Sequence, residues 1–166
     1  QKSVRDIMIF LQGHGIGSSH AAKIFKMYGE NAIVVVRENP YRLAKDITGI
    51  GFRTADGIAA KLGIAADSAH RLQAGAIHTL ERATDEGHTC LPRQELIEAA
   101  RELLEAEIAP IEDAINQLAM AGDIVVEDEW VYLAGLCRAE RGVATKINEL
   151  CAGKIELPAM DLDKAL

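Results

Sequence analysis

One stretch of the chain occurs twice. Gly15-Ile16-Gly17-Ser18-Ser19-His20-Ala21-Ala22-Lys23-Ile24 lies over Gly49-Ile50-Gly51-Phe52-Arg53-Thr54-Ala55-Asp56-Gly57-Ile58 at a period of 34 residues, with Gly, Ile, Gly, Ala and Ile in register. A fixed period means one supersecondary unit built twice. Two glycines around one apolar residue make a tight turn, and the spacing after it is helical. The first half of the chain is therefore expected to be two helix-turn-helix units.

The flanking sequence fits this reading. Val4–Gln12 predicts a short helix with Ile7, Met8, Phe10 and Leu11 on its buried side, stopped by Gly13-His14-Gly15-Ile16-Gly17. Ser18 or Ser19 supplies an N-cap, and a helix over Ala21–Tyr28 ends at Gly29. Asn31 caps a helix over Ala32–Glu38 despite its β-prone Ile33-Val34-Val35-Val36 run. Pro40 suits a first helical turn, Tyr41–Asp46 follows, and Thr54–Leu62 ends at Gly63. Beyond that, Asp67–Glu86 reads as one long helix with Leu72, Ala76, Ile77 and Leu80 on one face. His88–Leu91 is a short extended piece, and Pro92 opens a helix to about Glu105. Ala109-Pro110 breaks the chain before a helix over Ile111–Met120. Asp123–Glu127 and Trp130–Leu133 form two strands about Asp128-Glu129, and Leu136–Cys151 is a last helix. The tail after Gly153 has no settled pattern.

The turn has a physical use. Its glycines let backbone approach a ligand, its isoleucine anchors it in the core, and its N–H groups, with those opening the next helix, point outward unpaired. With the helix dipole they form an anion site that fits a DNA phosphate oxygen. Such contacts are indifferent to base sequence and sensitive to salt. The formal charge of -7 argues against nucleic acid until it is divided. Residues 1–64 carry nine Lys/Arg against five Asp/Glu, and residues 65–166 carry nine against twenty. The first part attracts phosphate and the second does not. The charge break suggests a boundary near Ala65–Asp67.

These residues resemble the helix-hairpin-helix family, whose pattern is Gly-hydrophobic-Gly-x-x-x-Ala-x-x-hydrophobic. The resemblance implies that paired hairpins grip phosphates of both strands across the minor groove. Gly15, Ile16, Gly17, Ser18, Ser19 and Lys23 would carry the first grip, and Gly49, Ile50, Gly51, Phe52 and Arg53 the second. The family often places Lys or Arg two residues after the second glycine. Arg53 fits and Ser19 departs, leaving Lys23 and Lys26 to supply the charge. A closer likeness runs from about residue 4 to 150. Phe10-Leu11-Gln12-Gly13-His14-Gly15-Ile16, Glu38-Asn39-Pro40-Tyr41-Arg42-Leu43, Gly49 through Asp56, Tyr132-Leu133 and Arg138-Ala139-Glu140 resemble the amino-terminal region of RecD-like ATP-dependent DNA helicases, the exodeoxyribonuclease V alpha subunit family.

The fold expected is mainly α. Residues 1–65 would be a tandem helix-hairpin-helix domain, residues 66–134 a winged-helix-like α+β unit with a small β-hairpin, and residues 135–166 a linking helix and tail toward motor domains. The resemblance implies an accessory domain of a helicase of DNA repair or recombination that moves 5′ to 3′. Single-stranded or forked DNA and the protein's own motor domains would be its partners. No Gly-x-x-x-x-Gly-Lys-[Ser/Thr] loop occurs, and Gly153-Lys154 lacks its glycine-rich approach, so ATP and Mg would belong to the parent protein and no cofactor to this region. The chain opens without Met and ends at Leu166 with no stop signal, and both ends are expected to continue into something longer.

Other chemistry finds less support. Cys90, Cys137 and Cys151 form no CxxC pair, which points to a reducing compartment. No signal segment or membrane span is legible, and a cytoplasmic protein is expected. His14, His20, His70, His78 and His88 make neither HxxxH nor HExxH, so no metal site is expected. A glycosylase needs an Asp, and often a Lys, at a set distance beyond the hairpin. Asp67 is the first candidate, with no Lys after it until Lys146, so no catalytic residue is assigned. The acidic run from Glu95 to Glu112 reads as a solvated helix face, and Trp130 as wing packing with base stacking as the alternative. A hairpin domain can also serve as a protein-interaction module that docks onto motor domains or a partner subunit.

Overall fold

The computed structural model describes residues 4–152. The unsettled tail beyond Gly153 lies outside them. Nine helices and three strands follow in the described residues: α1 Val4–Gly13, α2 Ser18–Tyr28, α3 Ala32–Glu38, α4 Arg42–Asp46, α5 Phe52–Lys61, α6 Ala69–Asp85, β1 Cys90–Pro92, α7 Arg93–Leu104, α8 Ile108–Ala121, β2 Ile124–Glu127, β3 Trp130–Leu133 and α9 Ala134–Ala152. A single 3-10 turn, Gly29–Asn31, joins α2 to α3. The chain is mainly α with one small sheet, as its pattern requires.

The β-prone run resolves as helix because Ile33 and Val36, three residues apart, are both buried while Val34 is exposed. Several boundaries shift for local reasons. Ser18 and Ser19 lie inside the first turn of α2, and Gly17 occupies the N-cap without a side-chain cap. Asn31 likewise makes no side-chain cap. Pro40 precedes α4 in a turn where Asn39 Oδ1 accepts the Tyr41 N–H at 3.1 Å. Pro110 does not delay α8, which begins at Ile108. It sits in the first turn, where a missing N–H leaves no ladder bond broken. Ser68 caps α6, its Oγ accepting the Arg71 N–H at 3.4 Å.

The expected β-hairpin is larger than the sequence indicated. β1 joins β3 antiparallel, Cys90 opposite Tyr132 and Leu91 opposite Val131, and β2 pairs with the other edge of β3. The order β1-β3-β2 after α6 and around α7 and α8 is that of a winged-helix unit.

Two apolar clusters organise the molecule. Ile7, Leu11, Ile16, Ile24, Ile33, Val36, Leu43, Ile47, Ile50 and Ile58 hold the two hairpins together. Leu72, Leu80, Leu96, Ile97, Ile111, Ile115 and Val131 lead the second, which fills the winged unit. α5 serves both, because Ile58 belongs to the first cluster while Phe52, Ala55 and Ala59 belong to the second. The divide expected near residue 65 is therefore bridged by one shared helix.

A polar bridge lies at the same junction. Arg71 of α6 donates to both carboxylate oxygens of Asp56 on α5, at 2.8 and 3.1 Å, and Tyr41 Oη donates to Asp56 Oδ1 at 2.7 Å. Burial alone would raise the Asp56 pKa. The bonds from Arg71 and Tyr41 outweigh it and hold the carboxyl below its ordinary value. Burial, with Asp56 beside it, pushes the Tyr41 phenol well up. Beside this bridge, Phe52 stacks on Tyr41 at 6.0 Å between ring centroids and on His78 at 5.3 Å.

Two outcomes are expected. Arg71→Met strands a carboxylate and should cost roughly 2–3 kcal/mol, read as a lowered urea midpoint. His78 has its pKa lowered from 6.5, by burial first and then by Arg82 and Arg53. Its folded value lies below its unfolded one, so the stability it contributes is present above pH 6.5 and is lost as pH falls through the folded value. The urea midpoint should drop between pH 7.5 and 5.5, and less so in His78→Gln.

Candidate nucleic-acid interface

Each hairpin is a short helix, a glycine-bounded turn and a longer helix. The first glycine takes a left-handed conformation, φ +82° at Gly15 and +97° at Gly49, which only glycine adopts freely. The second is extended, φ -60° and ψ 154° at Gly17 and φ -96° and ψ 176° at Gly51, and each is the N-cap of the following helix. The repeat extends to Gly29 and Gly63, again 34 residues apart and both at positive φ. Ile16 and Ile50 are each 3% exposed and meet in one cluster, so a single apolar core carries both turns.

The set of free donors is narrower than the whole turn. The N–H groups of Gly15 and Ile16 donate back to Gln12 and Leu11 at 3.0 and 3.1 Å, and the Ile50 N–H donates to the Ile47 carbonyl at 3.1 Å. Intrahelical bonding starts only where Ala21 donates to the Gly17 carbonyl, and where Thr54 and Ala55 donate to that of Gly51. The unpaired N–H groups are thus those of Gly17, Ser18, Ser19 and His20 in one hairpin and of Gly51, Phe52 and Arg53 in the other, as orphan donors of a helix start. Gly17, Ser18, Ser19, Gly51 and Arg53 are all exposed.

The side chains sort differently. Arg53 projects from the first turn of α5. Phe52 is buried in its ring stack, so only its N–H can meet a ligand. Lys23 reaches across from the first repeat to the second, its Nζ donating to the Thr48 carbonyl at 2.9 Å.

Comparison with known proteins places this geometry. The family model of the ATP-dependent RecD2 DNA helicase HHH domain matches residues 1–90, more than half of the chain. The chain belongs to this family. The ATP-dependent RecD2 DNA helicase of Deinococcus radiodurans is 29% identical over 162 residues, covering 89% of this chain and 22% of that protein. The RecD2-type domain described here thus spans about a fifth of the length of the relative it matches.

The match runs through α6, the helix that carries Arg71 and His78 against the second hairpin. One basic residue at the hairpins was not visible in the sequence. Lys61, at the end of α5, lays the tip of its side chain against Gly15, in the space that a Cβ there would take. Positions 15 and 61 are far apart in sequence, and only the packing of one repeat on the other joins them. No group of three or more potential metal ligands occurs among the described residues, and none of their helices is long and apolar enough to cross a membrane.

The glycines should separate by conformation. Gly49→Ala is strained at positive φ and should lose roughly 1–2 kcal/mol, whereas Gly51→Ala has ordinary torsions and open space around its Cβ and should unfold within about 0.5 kcal/mol of the parent. Thermal melts of the two variants compare them directly.

Proposed function

We propose that this domain holds DNA for a larger ATP-dependent 5′–3′ helicase of repair or recombination, gripping phosphates through two clusters of backbone N–H groups. The observation that carries the reading is the pair of outward donor sets, Gly17–Ser19 and Gly51–Arg53, fixed on one apolar core in the basic part of the chain. Backbone donors aimed at phosphate carry no base information, so binding is indifferent to sequence. Single-stranded or forked DNA is the substrate form this reading favours. ATP and Mg act on the motor domains of the whole protein, which works in the cytoplasm, and the domain itself catalyses nothing.

A second reading, docking onto the motor domains or a partner subunit, is favoured by α9. From Arg138 to Ala152 every residue of that helix is exposed, and Val143, Ile147 and Leu150 line one face of it.

Fluorescence anisotropy of the 166-residue chain on single-stranded, duplex and forked DNA at two salt concentrations tests the first reading. Reversal of Arg53 and Lys23 to Glu should weaken binding and flatten the slope of log K against log salt by roughly one unit per lost contact. Unchanged binding would sink the phosphate grip, and co-purification with separately expressed motor domains would then support docking.

A further inference from the structure

The two repeats exchange lysines. Lys23 leaves α2 of the first repeat and lies over the second turn, bonded to the Thr48 carbonyl, with its Nζ 3.8 Å from where a Gly49 Cβ would stand. Lys61 leaves α5 of the second repeat and lies against Gly15 of the first turn. The exchange is not a by-product of the sequence repeat. Position 57 is Gly where the repeat of Lys23 would fall, and position 27 is Met where the repeat of Lys61 would fall. Each lysine was placed by the packing of one repeat against the other.

Lys61 is exposed, and among the described residues it pairs with no carboxylate. Other cations of the protein do pair: Lys45 with Asp123, Arg82 with Glu86 and Lys146 with Glu149. An ammonium left unpaired beside the one turn that lacks a basic residue after its second glycine has a plain use. Ser19 stands where Arg53 stands in the other copy.

We infer that Lys61 completes the first hairpin's phosphate site across the repeats, supplying the positive charge that Ser19 does not. The inference rests on the DNA-holding reading and adds a residue to it. A phosphodiester oxygen bound at the Gly17–Ser19 N–H groups takes its counter-charge from the opposite repeat, so the first grip forms only when both repeats are folded together.

The test is anisotropy titration of fluorescein-labelled duplex and single-stranded DNA of mixed sequence with the 166-residue chain. Lys61→Met should weaken binding severalfold and make the salt slope shallower by roughly 0.7–0.9, with the melting temperature unchanged. Lys61→Arg should bind as the parent does. Lys146→Met, which removes an equal charge from α9, should bind as the parent does too. Ser19→Arg added to Lys61→Met should restore the slope, because it puts the charge where the second repeat has it. A purely structural role for Lys61 would give no such rescue. If Arg53→Glu weakens binding while Lys61→Met matches the parent, the crossed lysine is overturned and the DNA-holding reading stands. If neither variant changes binding, both fall.

Discussion

The guanidinium of Arg71 is the point on which the rest of the structure turns. It donates twice to Asp56, and once each to the carbonyls of Ala66 and Leu104, at 3.0 and 2.9 Å. One side chain thereby ties α5 of the second hairpin, the linker after it and the end of α7 to α6. A charged group this enclosed is costly unless its donors are satisfied, and here four bonds meet it with the carboxylate beside it. Its planar fork matches the carboxylate in a way a lysine could not. The linker is short, and this bridge and the Phe52 stack, with Ala55 and Ala59 packed into the second core, join the hairpins to the winged unit. The Lys45–Asp123 pair spans the same junction but lies largely in solvent, where such a pair contributes little.

The charge division makes sense on this frame. The winged unit is acidic, and Arg82 within it and Arg141 and Lys146 on α9 after it are paired with carboxylates nearby. The hairpins keep Arg53 and Lys61 clear of any carboxylate among the described residues. A polyanion approaching the molecule meets an attractive face and a repulsive one. The acidic half, which at first counts against nucleic acid, would repel a polyanion and leave the hairpin side as the one open to it. It also explains why a winged-helix topology need not imply a helix in the major groove.

Much of this was legible in the residues. The 34-residue repeat gave both turns and the helices around them, because glycine at positive φ, a buried isoleucine and a buried alanine are demands that local sequence states openly. The small sheet was only half legible. β1 is three residues long and becomes a strand only by pairing with β3 some forty residues away, which no local pattern encodes. Pro110 looked like a break because a proline inside a periodic run usually is one, yet its place in a first turn leaves no bond unmade. The donors of Gly15 and Ile16 looked free because the sequence does not show that α1 runs on to Gly13 and takes them back. Lys61 and the Asp56–Arg71 bridge were invisible for a single reason. Both join residues of different units, and spacing along the chain carries no trace of them.

The two hairpins, alike in sequence pattern, are not equivalent in their surroundings. Where the first has Ser18, exposed, the second has Phe52, buried between Tyr41 and His78. Where the first has Ala22, exposed, the second has Asp56, held by Arg71. These replacements sit one and five residues past the second glycine, on the helix that carries the outward N–H groups. They fasten the second hairpin to the winged unit and leave the first attached to the second repeat, through the shared isoleucine core and the Lys23–Thr48 and Tyr28–Asp46 bonds. A load on the second turn passes through a ring stack and a bidentate ion pair into α6. A load on the first must cross the contact between the repeats before it reaches the winged unit. The repeat gives two turns of one shape, and the divergence of two residue pairs makes one of them the fixed point.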